Sequence, residues 1–171
     1  MHFMKLLILV RHAKSSWDDP DLEDIDRPLN NRGKKDAPEM GQRLFKQGII
    51  PDRVISSPAR RALSTAKKIT KELNYPKENI QVKEEIFEAG PDNLLLLIRN
   101  IQDNPGTLMV FGHNPSITEF ANALTGINIH NIPTCGVVSI QFDVNEWSEI
   151  DYRKGKLVFF DYPKKGLASE D

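Results

Sequence analysis

Short, continuous apolar runs alternate along this chain with longer segments whose apolar residues recur at helical spacing. Runs such as Leu6-Leu7-Ile8-Leu9-Val10 lack the in-and-out alternation of a half-exposed strand, and they are typical of strands buried on both faces. The predicted strands are residues 6–10, 54–56, 80–82, 107–111, 137–142 and 157–160. A sheet built from such strands requires a covering layer on each side.

The segments between the first five predicted strands provide these layers, because each of them contains an apolar stripe at helical spacing. Residues 31–48 form the first predicted helix, with Asn31 as its cap, and the pairs Ser57-Pro58 and Asn114-Pro115 have the cap-then-proline pattern of a helix start. This alternation predicts an α/β fold with a mainly parallel sheet, helices on both faces and an antiparallel edge strand. Because 171 residues suffice for one core, we expect a single domain, residues 1–171.

Charge and cysteine content exclude several classes of function. The net charge is −1, so the chain lacks the basic surface expected of a nucleic-acid-binding protein. The single cysteine, Cys135, excludes an internal disulfide and a metal site built on cysteine pairs, and we expect it to be a buried, inert thiol. The apolar run of residues 6–10 is too short for a signal peptide or a membrane span, so we expect a cytoplasmic protein without a membrane partner.

Three polar segments follow predicted strands directly, and each contains residues suited to phosphate chemistry. They are Arg11-His12, the segment 56–62 with Arg60 and Arg61, and Gly112-His113-Asn114-Pro115. Ligands of open α/β sheets bind beyond the carboxyl ends of the strands, so these segments are expected to meet in one crevice. Arginine side chains and helix N-termini bind anions, whereas two histidines among positive charges are poor metal ligands. The histidines are therefore candidates for a nucleophile and a proton donor.

The same segments resemble a known family in their sequence and order. Leu-Val-Arg-His after the first strand, Ser-Ser-Pro-x-x-Arg-Ala-x-x-Thr-Ala after the second and Gly-His-Asn-Pro after a later one are similar to the histidine phosphatase superfamily. Within it, the short chain and Arg-His-Ala-Lys-Ser-Ser-Trp-Asp resemble the SixA-type phosphohistidine phosphatases. The resemblance extends from Leu6 to about Phe142, includes Arg27-Pro28-Leu29, and implies a phosphoglycerate-mutase-like fold.

The resemblance implies a role for individual residues. His12 matches the nucleophile that becomes phosphorylated, Arg11 and Arg61 match the phosphate-binding arginines, and His113 matches the second histidine. Glu85 is the best match for a general acid and Glu88 the second. One residue departs from the family pattern, since Ala13 stands where most members have glycine, which limits the backbone there to conformations open to alanine.

The implied activity is that of a metal-independent phosphatase with a phosphohistidine intermediate and no cofactor. Its substrate would be phosphohistidine in a protein or an accessible small phosphate ester. A phosphoglycerate-mutase-like phosphotransferase and a catalytically weak phosphoprotein-binding module are the alternatives.

The acidic run between Asp18 and Asp26 lacks the spacing of a calcium loop, so we interpret it as a solvated loop. Trp17 is a candidate for the pocket mouth without a role that the sequence defines.

Overall fold

The computed structural model describes residues 4–165. Strands and helices alternate along these residues as the apolar pattern predicts, and the boundaries differ from the predicted ones by one to two residues at most positions. The strands are β1 (Lys5–Arg11), β2 (Arg53–Ser56), β3 (Gln81–Val82), β4 (Thr107–Gly112), β5 (Val137–Phe142) and β6 (Lys156–Asp161). The α-helices are α1 (Asn31–Lys46), α2 (Arg60–Glu72), α3 (Pro91–Arg99) and α4 (Ser116–Thr125).

The described strands form one sheet in the order β3-β2-β4-β1-β5-β6. Strands β3, β2, β4 and β1 pair parallel to one another, whereas β5 pairs antiparallel with both β1 and β6. The predicted α/β fold with a mainly parallel sheet is therefore confirmed, and its antiparallel part is at the β5–β6 end. Within residues 4–165, no helix is both long and apolar enough to cross a bilayer.

Each face of the sheet is covered by helices, which explains the continuous apolar strands. Leu7 and Leu9 of β1 belong to a core that includes the buried faces of α3 and α4. Ile8 and Val10 of the same strand belong to a second core that includes the buried faces of α1 and α2. Successive strand residues point to opposite faces, so a strand covered on both sides needs apolar residues at every position.

The cap of helix α1 lies one residue before the position that the sequence pattern indicates. Asn30, not Asn31, is the cap, and its side-chain oxygen accepts the backbone N–H of Gly33 at 2.9 Å. The first turn of α1 packs closely on the segment after β1, because a Cβ atom at Gly33 would lie 2.2 Å from the carbonyl oxygen of Lys14. Only glycine allows this approach, which holds the segment after β1 against the helix.

The order of the strands brings three chain segments to one edge of the sheet. Strand β4 lies between β2 and β1, and all three run in the same direction. Ser57 follows β2, His113 follows β4 and His12 follows β1, each at the carboxyl end of its strand. The crevice expected at the ends of parallel strands is thus formed by the segments that the sequence singles out.

Candidate active site

Arg11, His12, Arg61 and His113 line one cavity of about 250 Å³ at the carboxyl edge of the sheet. The ring centroids of His12 and His113 are 5.2 Å apart. The other residues that line the cavity are Lys14, Ser15, Trp17, Arg27, Asn114 and Thr134. The cavity therefore presents two imidazoles among several cationic side chains, as a phosphate-binding pocket requires.

The backbone of His12 is held by the end of β4 and by the segment that precedes β5. Its N–H donates to the carbonyl oxygen of Gly112 at 3.1 Å, and its own carbonyl oxygen accepts the N–H of Cys135 at 3.0 Å. The imidazole Nδ1 lies 2.7 Å from the carbonyl oxygen of Ala13. Because a carbonyl oxygen can only accept, Nδ1 of the neutral ring carries the proton and Nε2 keeps its free electron pair.

Thr65 of α2 links the segment after β1 to the helix that carries Arg61. Its hydroxyl accepts the N–H of Ala13 at 2.9 Å and donates to the carbonyl oxygen of Arg61 at 2.7 Å. Ala13 is absent from the described non-glycine residues with positive φ, so alanine fits where the family pattern has glycine. The threonine of the Arg-Ala-x-x-Thr-Ala motif thus fixes the peptide that orients His12.

Cys135 supports the site through its backbone, while its thiol is buried. The residue has a φ of 61°, a left-handed conformation that is uncommon for a non-glycine residue. Its side chain is fully buried, and burial raises the pKa of the thiol well above its ordinary value. The thiol is therefore protonated and unreactive at neutral pH, in agreement with the expected inert cysteine.

His113 is oriented by Ser57 at the end of β2. Its Nε2 atom is 2.8 Å from the hydroxyl oxygen of Ser57, which also accepts the backbone N–H of Ala59 at 3.1 Å. Helix α2 begins after Ala59, so the prediction that Ser57 caps this helix is wrong. The Ser57 side chain instead joins the turn before α2 to the second histidine.

Arg61 is buried and is paired with Asp24 from the acidic segment. Its guanidinium donates to the backbone oxygen of Asp24 at 2.7 Å and to a carboxylate oxygen of the same residue at 3.0 Å. Asp24 is exposed, as the interpretation of this segment as a solvated loop expects, and it also pairs with Arg61. Arg60, the alternative to Arg61, is exposed and does not line the cavity. Arg11 is fixed separately, because it donates to the backbone oxygen of Ile132 at 2.9 Å.

The electrostatic surroundings keep both histidines neutral. Burial, reinforced by the positive charges of Arg61 and Arg11, lowers the pKa of His12 to about 3 despite the hydrogen bond to Ala13. Burial, reinforced chiefly by Arg61, lowers the pKa of His113 to about 4, and the charge of Asp24 acts in the opposite direction. Burial alone would raise the pKa of Asp24, but Arg61 and Arg27 hold it below its ordinary value, so this carboxyl group is ionised and a poor proton donor.

We expect His12 to stay neutral, with its proton on Nδ1, when the folded protein is brought to pH 5.5. The reason is that its pKa is lowered to about 3 from 6.5, so the unfolded chain takes up protons that the folded chain does not. The contribution of this neutral ring to stability is complete above about pH 6.5 and is lost as the pH falls toward 3. Imidazole ¹⁵N chemical shifts, with free histidine as a reference, measure the tautomer directly. An imidazolium signal from His12 at pH 5.5 would contradict this assignment.

The carboxylates expected to supply the general acid lie elsewhere. Glu85 is exposed in a short 3-10 turn, Glu84–Ile86, and lines a different groove together with Arg53 and Asn93. Glu88 is also exposed and does not line the histidine pocket. The physical reason is the burial of Ile86 on the apolar core, which turns its polar neighbours toward solvent. The structure thus brings four of the five predicted site residues together and leaves Glu85 apart.

Sequence reasoning missed several residues of the pocket. Arg27 lines it and is buried, and its signal was the Arg27-Pro28-Leu29 motif, to which no role had been given. Lys14 and Thr134 also line it, although neither a lysine nor a threonine in a loop signals a site by itself. Asn114 is held in place by donating to the backbone oxygen of Ile132 at 2.9 Å.

The donor groups of the pocket suit an oxyanion. Three buried nitrogen atoms of pocket residues, Arg11 Nε, Arg61 Nε and His113 Nδ1, have no hydrogen-bond partner within residues 4–165. A buried donor without a partner costs about 1–3 kcal/mol, so an anion that accepts from such groups is favoured. Across the part of the chain that the structure describes, no group of three or more His, Cys, Asp or Glu side chains is arranged to hold a metal ion.

Comparison with known proteins finds a matching family model, a similar sequence and solved structures of the same fold. The family model of the histidine phosphatase superfamily (branch 1) matches residues 7–91. An uncharacterized chloroplastic protein of Arabidopsis thaliana is 32% identical over 151 residues, which cover 84% of this chain and 69% of the relative. A solved structure of a SixA protein from Agrobacterium tumefaciens is 25% identical, with a TM-score of 0.77 over 93% of this chain and 98% of that one. The protein histidine phosphatase SixA complexed with tungstate shares the fold, with 22% identity and a TM-score of 0.75 over 92% of this chain and 97% of that one.

Proposed function

Because this chain belongs to the histidine phosphatase superfamily and resembles its SixA-type members, we propose that it hydrolyses phosphohistidine, or another accessible phosphomonoester, through a phosphohistidine formed on His12. The observation that carries the proposal is the hydrogen bond from His12 Nδ1 to Ala13, 2.7 Å long, in a pocket that keeps the ring neutral. This bond leaves Nε2 with a free electron pair next to cationic side chains. A neutral imidazole nitrogen in such surroundings is a nucleophile for phosphorus.

The reaction proceeds in two displacements at phosphorus. In the first, His12 Nε2 forms a bond to the phosphorus atom while the bond from phosphorus to the leaving atom of the substrate breaks, and the leaving atom takes up a proton. In the second, a water oxygen attacks the same phosphorus, the bond to Nε2 breaks, and inorganic phosphate departs after the water has lost a proton. His12 regains its free electron pair at the end of the cycle.

Arg11 and Arg61 stabilise the charge that spreads over the phosphoryl oxygens during both steps. Phosphoryl transfer depends mainly on positioning and electrostatic stabilisation, so fixed guanidinium groups in a buried pocket are effective catalysts. Arg61 is fixed by Asp24, and Arg11 is fixed by the backbone of Ile132. These side chains therefore need little rearrangement when a phosphoryl group binds. We propose that the reaction needs no metal ion, because a cation would be repelled by the same charges.

His113 is proposed to donate a hydrogen bond to the phosphoryl group. Its lowered pKa keeps the ring neutral, so it carries one proton. The Ser57 hydroxyl already accepts the N–H of Ala59, and its own proton is available for His113 Nε2. With Nε2 accepting from Ser57, the single proton of the neutral ring is on Nδ1, the nitrogen without a partner among residues 4–165.

Among residues 4–165, no Asp or Glu side chain lines the pocket, which favours phosphohistidine over an alkyl phosphate as the substrate. An alkoxide leaving group requires a proton from a positioned acid, whereas the imidazole nitrogen of phosphohistidine departs readily once it is protonated from solvent. Glu85 and Glu88 lie outside the pocket, and Asp24 is ionised and engaged by two arginines. A pocket of about 250 Å³ also fits the end of a larger substrate better than a whole cofactor-sized ligand.

A panel of phosphorylated substrates tests this proposal. We expect turnover of phosphohistidine and phosphoramidate in the presence of a chelator, with lower kcat/KM for p-nitrophenyl phosphate and none for 2- or 3-phosphoglycerate. Transfer of phosphate between phosphoglycerate isomers would instead indicate the phosphotransferase. Binding of phosphate without turnover of any compound would indicate the binding module.

The variant Glu85→Gln provides a control within the same panel. We expect it to change kcat/KM by less than about 2-fold on both phosphoramidate and p-nitrophenyl phosphate, because Glu85 is exposed and outside the pocket. A loss of about 100-fold on both substrates would establish Glu85 as a general acid and would favour a small phosphomonoester as the substrate.

A further inference from the structure

Trp17 lies at the mouth of the histidine pocket with most of its surface exposed. Its side chain lines the cavity, and the residue is 74% exposed. An indole ring in contact with water leaves a large apolar surface unburied, and aromatic side chains of this kind are enriched where proteins bind their partners. Single exposed apolar residues are common, and exposure alone does not mark a binding surface, whereas a ring held in a fixed orientation presents a defined face.

The Arg27 guanidinium packs against one face of the Trp17 indole. The guanidinium carbon of Arg27 lies 3.4 Å from the centroid of the Trp17 ring, a cation–π contact. Arg27 is itself buried and donates from Nε to a carboxylate oxygen of Asp24 at 3.1 Å. The backbone around Trp17 is closed by a hydrogen bond from the N–H of Ser16 to the carbonyl oxygen of Pro28 at 2.8 Å. One face of the ring is thus covered by Arg27, and the high exposure of the residue leaves the other face open.

The same side chains connect this ring to the phosphoryl site. Asp24 pairs with both Arg27 and Arg61, so the support of Trp17 and the phosphate-binding arginine form one network. A phosphoryl group bound between Arg61 and the two histidines must direct its leaving group away from His12, since attack and departure are in line. The leaving group therefore extends toward the mouth of the pocket, where Trp17 lies.

We propose that the open face of Trp17 is a binding surface for the imidazole ring of the substrate phosphohistidine, and that Trp17 determines the preference for a planar leaving group. The inference rests on the proposed function and adds a specificity residue to it. Offset stacking between two aromatic rings contributes enough to change affinity by about 2- to 10-fold, and an aliphatic or amino leaving group cannot make this contact.

The test compares two substrates that share the P–N bond and differ in the ring. Phosphohistidine has an imidazole leaving group, whereas phosphoramidate has only an amino group. We expect Trp17→Ala to lower kcat/KM for phosphohistidine by about 5- to 10-fold and to change kcat/KM for phosphoramidate by less than 2-fold. Trp17→Phe keeps an aromatic face, so it should recover at least half of the lost preference. Comparing each variant with the unaltered protein on the same substrate removes the intrinsic difference in reactivity.

Phe45→Ala is the matched control, because Phe45 is an aromatic residue on α1 that is 56% exposed and does not line the pocket. Phe45→Ala should leave kcat/KM for phosphohistidine and for phosphoramidate unchanged. An equal loss on both substrates in Trp17→Ala, or no loss on phosphohistidine, would overturn the specificity role. If the unaltered protein turns over phosphoramidate and p-nitrophenyl phosphate but not phosphohistidine, the proposed substrate is wrong. The role of Trp17 and the proposed function are therefore tested separately.

Discussion

Replacing His12 by alanine is expected to reduce phosphatase turnover by at least about 10⁴-fold, because no other described residue that lines the pocket supplies a comparable nucleophile. Tungstate or vanadate should still bind within several-fold of its original affinity, since Arg11, Arg61 and His113 remain. Steady-state kinetics and equilibrium titration with the oxyanion measure the two effects independently. A phosphoenzyme trapped by acid quench from labelled substrate should disappear in the variant.

His130→Ala is the matched control for this experiment, because His130 is exposed and is not among the residues that line the histidine pocket. It should retain full turnover and the trapped phosphoenzyme. More than about 1% residual activity in His12→Ala, at an unchanged melting temperature, would identify another group as the nucleophile. Loss of oxyanion binding together with activity would indicate that the substitution had disrupted the pocket rather than removed a reacting atom.

Replacing Arg61 by alanine is expected to lower kcat/KM by about 10²- to 10³-fold, the loss typical of removing one fixed electrostatic donor. The affinity for tungstate or vanadate should fall as well. Part of the loss comes from Asp24, whose carboxylate is held by Arg61 at 3.0 Å and would become a less compensated negative charge beside the pocket. The double variant Arg61→Ala with Asp24→Asn should therefore bind oxyanions better than Arg61→Ala alone.

The neighbouring arginine offers a stringent control for this second prediction. Arg60 is in the same first turn of α2, but it is exposed and does not line the pocket. Arg60→Ala should change kcat/KM by less than about 3-fold, because a solvated charge outside the pocket is screened by water and salt. Equal losses for both variants would mean that the general positive charge of the helix start, rather than the Arg61 side chain, stabilises the reaction.

The fold and the location of the site were predictable because their signals are local and redundant. Continuous apolar runs identify strands covered on both faces, and β1 shows why, since Leu7 and Ile8 pack in separate cores. The segments with His12 and His113 follow such strands directly, so the topology of a parallel sheet was enough to place them at one edge. Arg61 was distinguished from Arg60 by the motif, and the structure buries Arg61 and exposes its neighbour.

The general acid was not predictable in the same way. The resemblance implies Glu85 as the general acid, but a match in sequence says nothing of the direction of its side chain. In the structure, the short turn Glu84–Ile86 buries Ile86 and leaves Glu85 in solvent. A 3-10 turn of three residues has no apolar periodicity long enough to assign one face to the core.

The sequence by itself therefore determined the layered α/β fold, the edge of the sheet that carries the site and four of the side chains that line it. Only the tertiary structure decided which partners orient them. The pair of Asp24 and Arg61 joins residues 37 positions apart, and the contact of Ser57 with His113 joins residues 56 positions apart. Periodicity and capping patterns report on neighbours along one helix or strand, whereas these contacts depend on how separate elements pack and where each loop directs its side chains. For the same reason the contact of Trp17 with Arg27 was decided by packing, whereas its place in the lining of the pocket agrees with the expectation from the sequence.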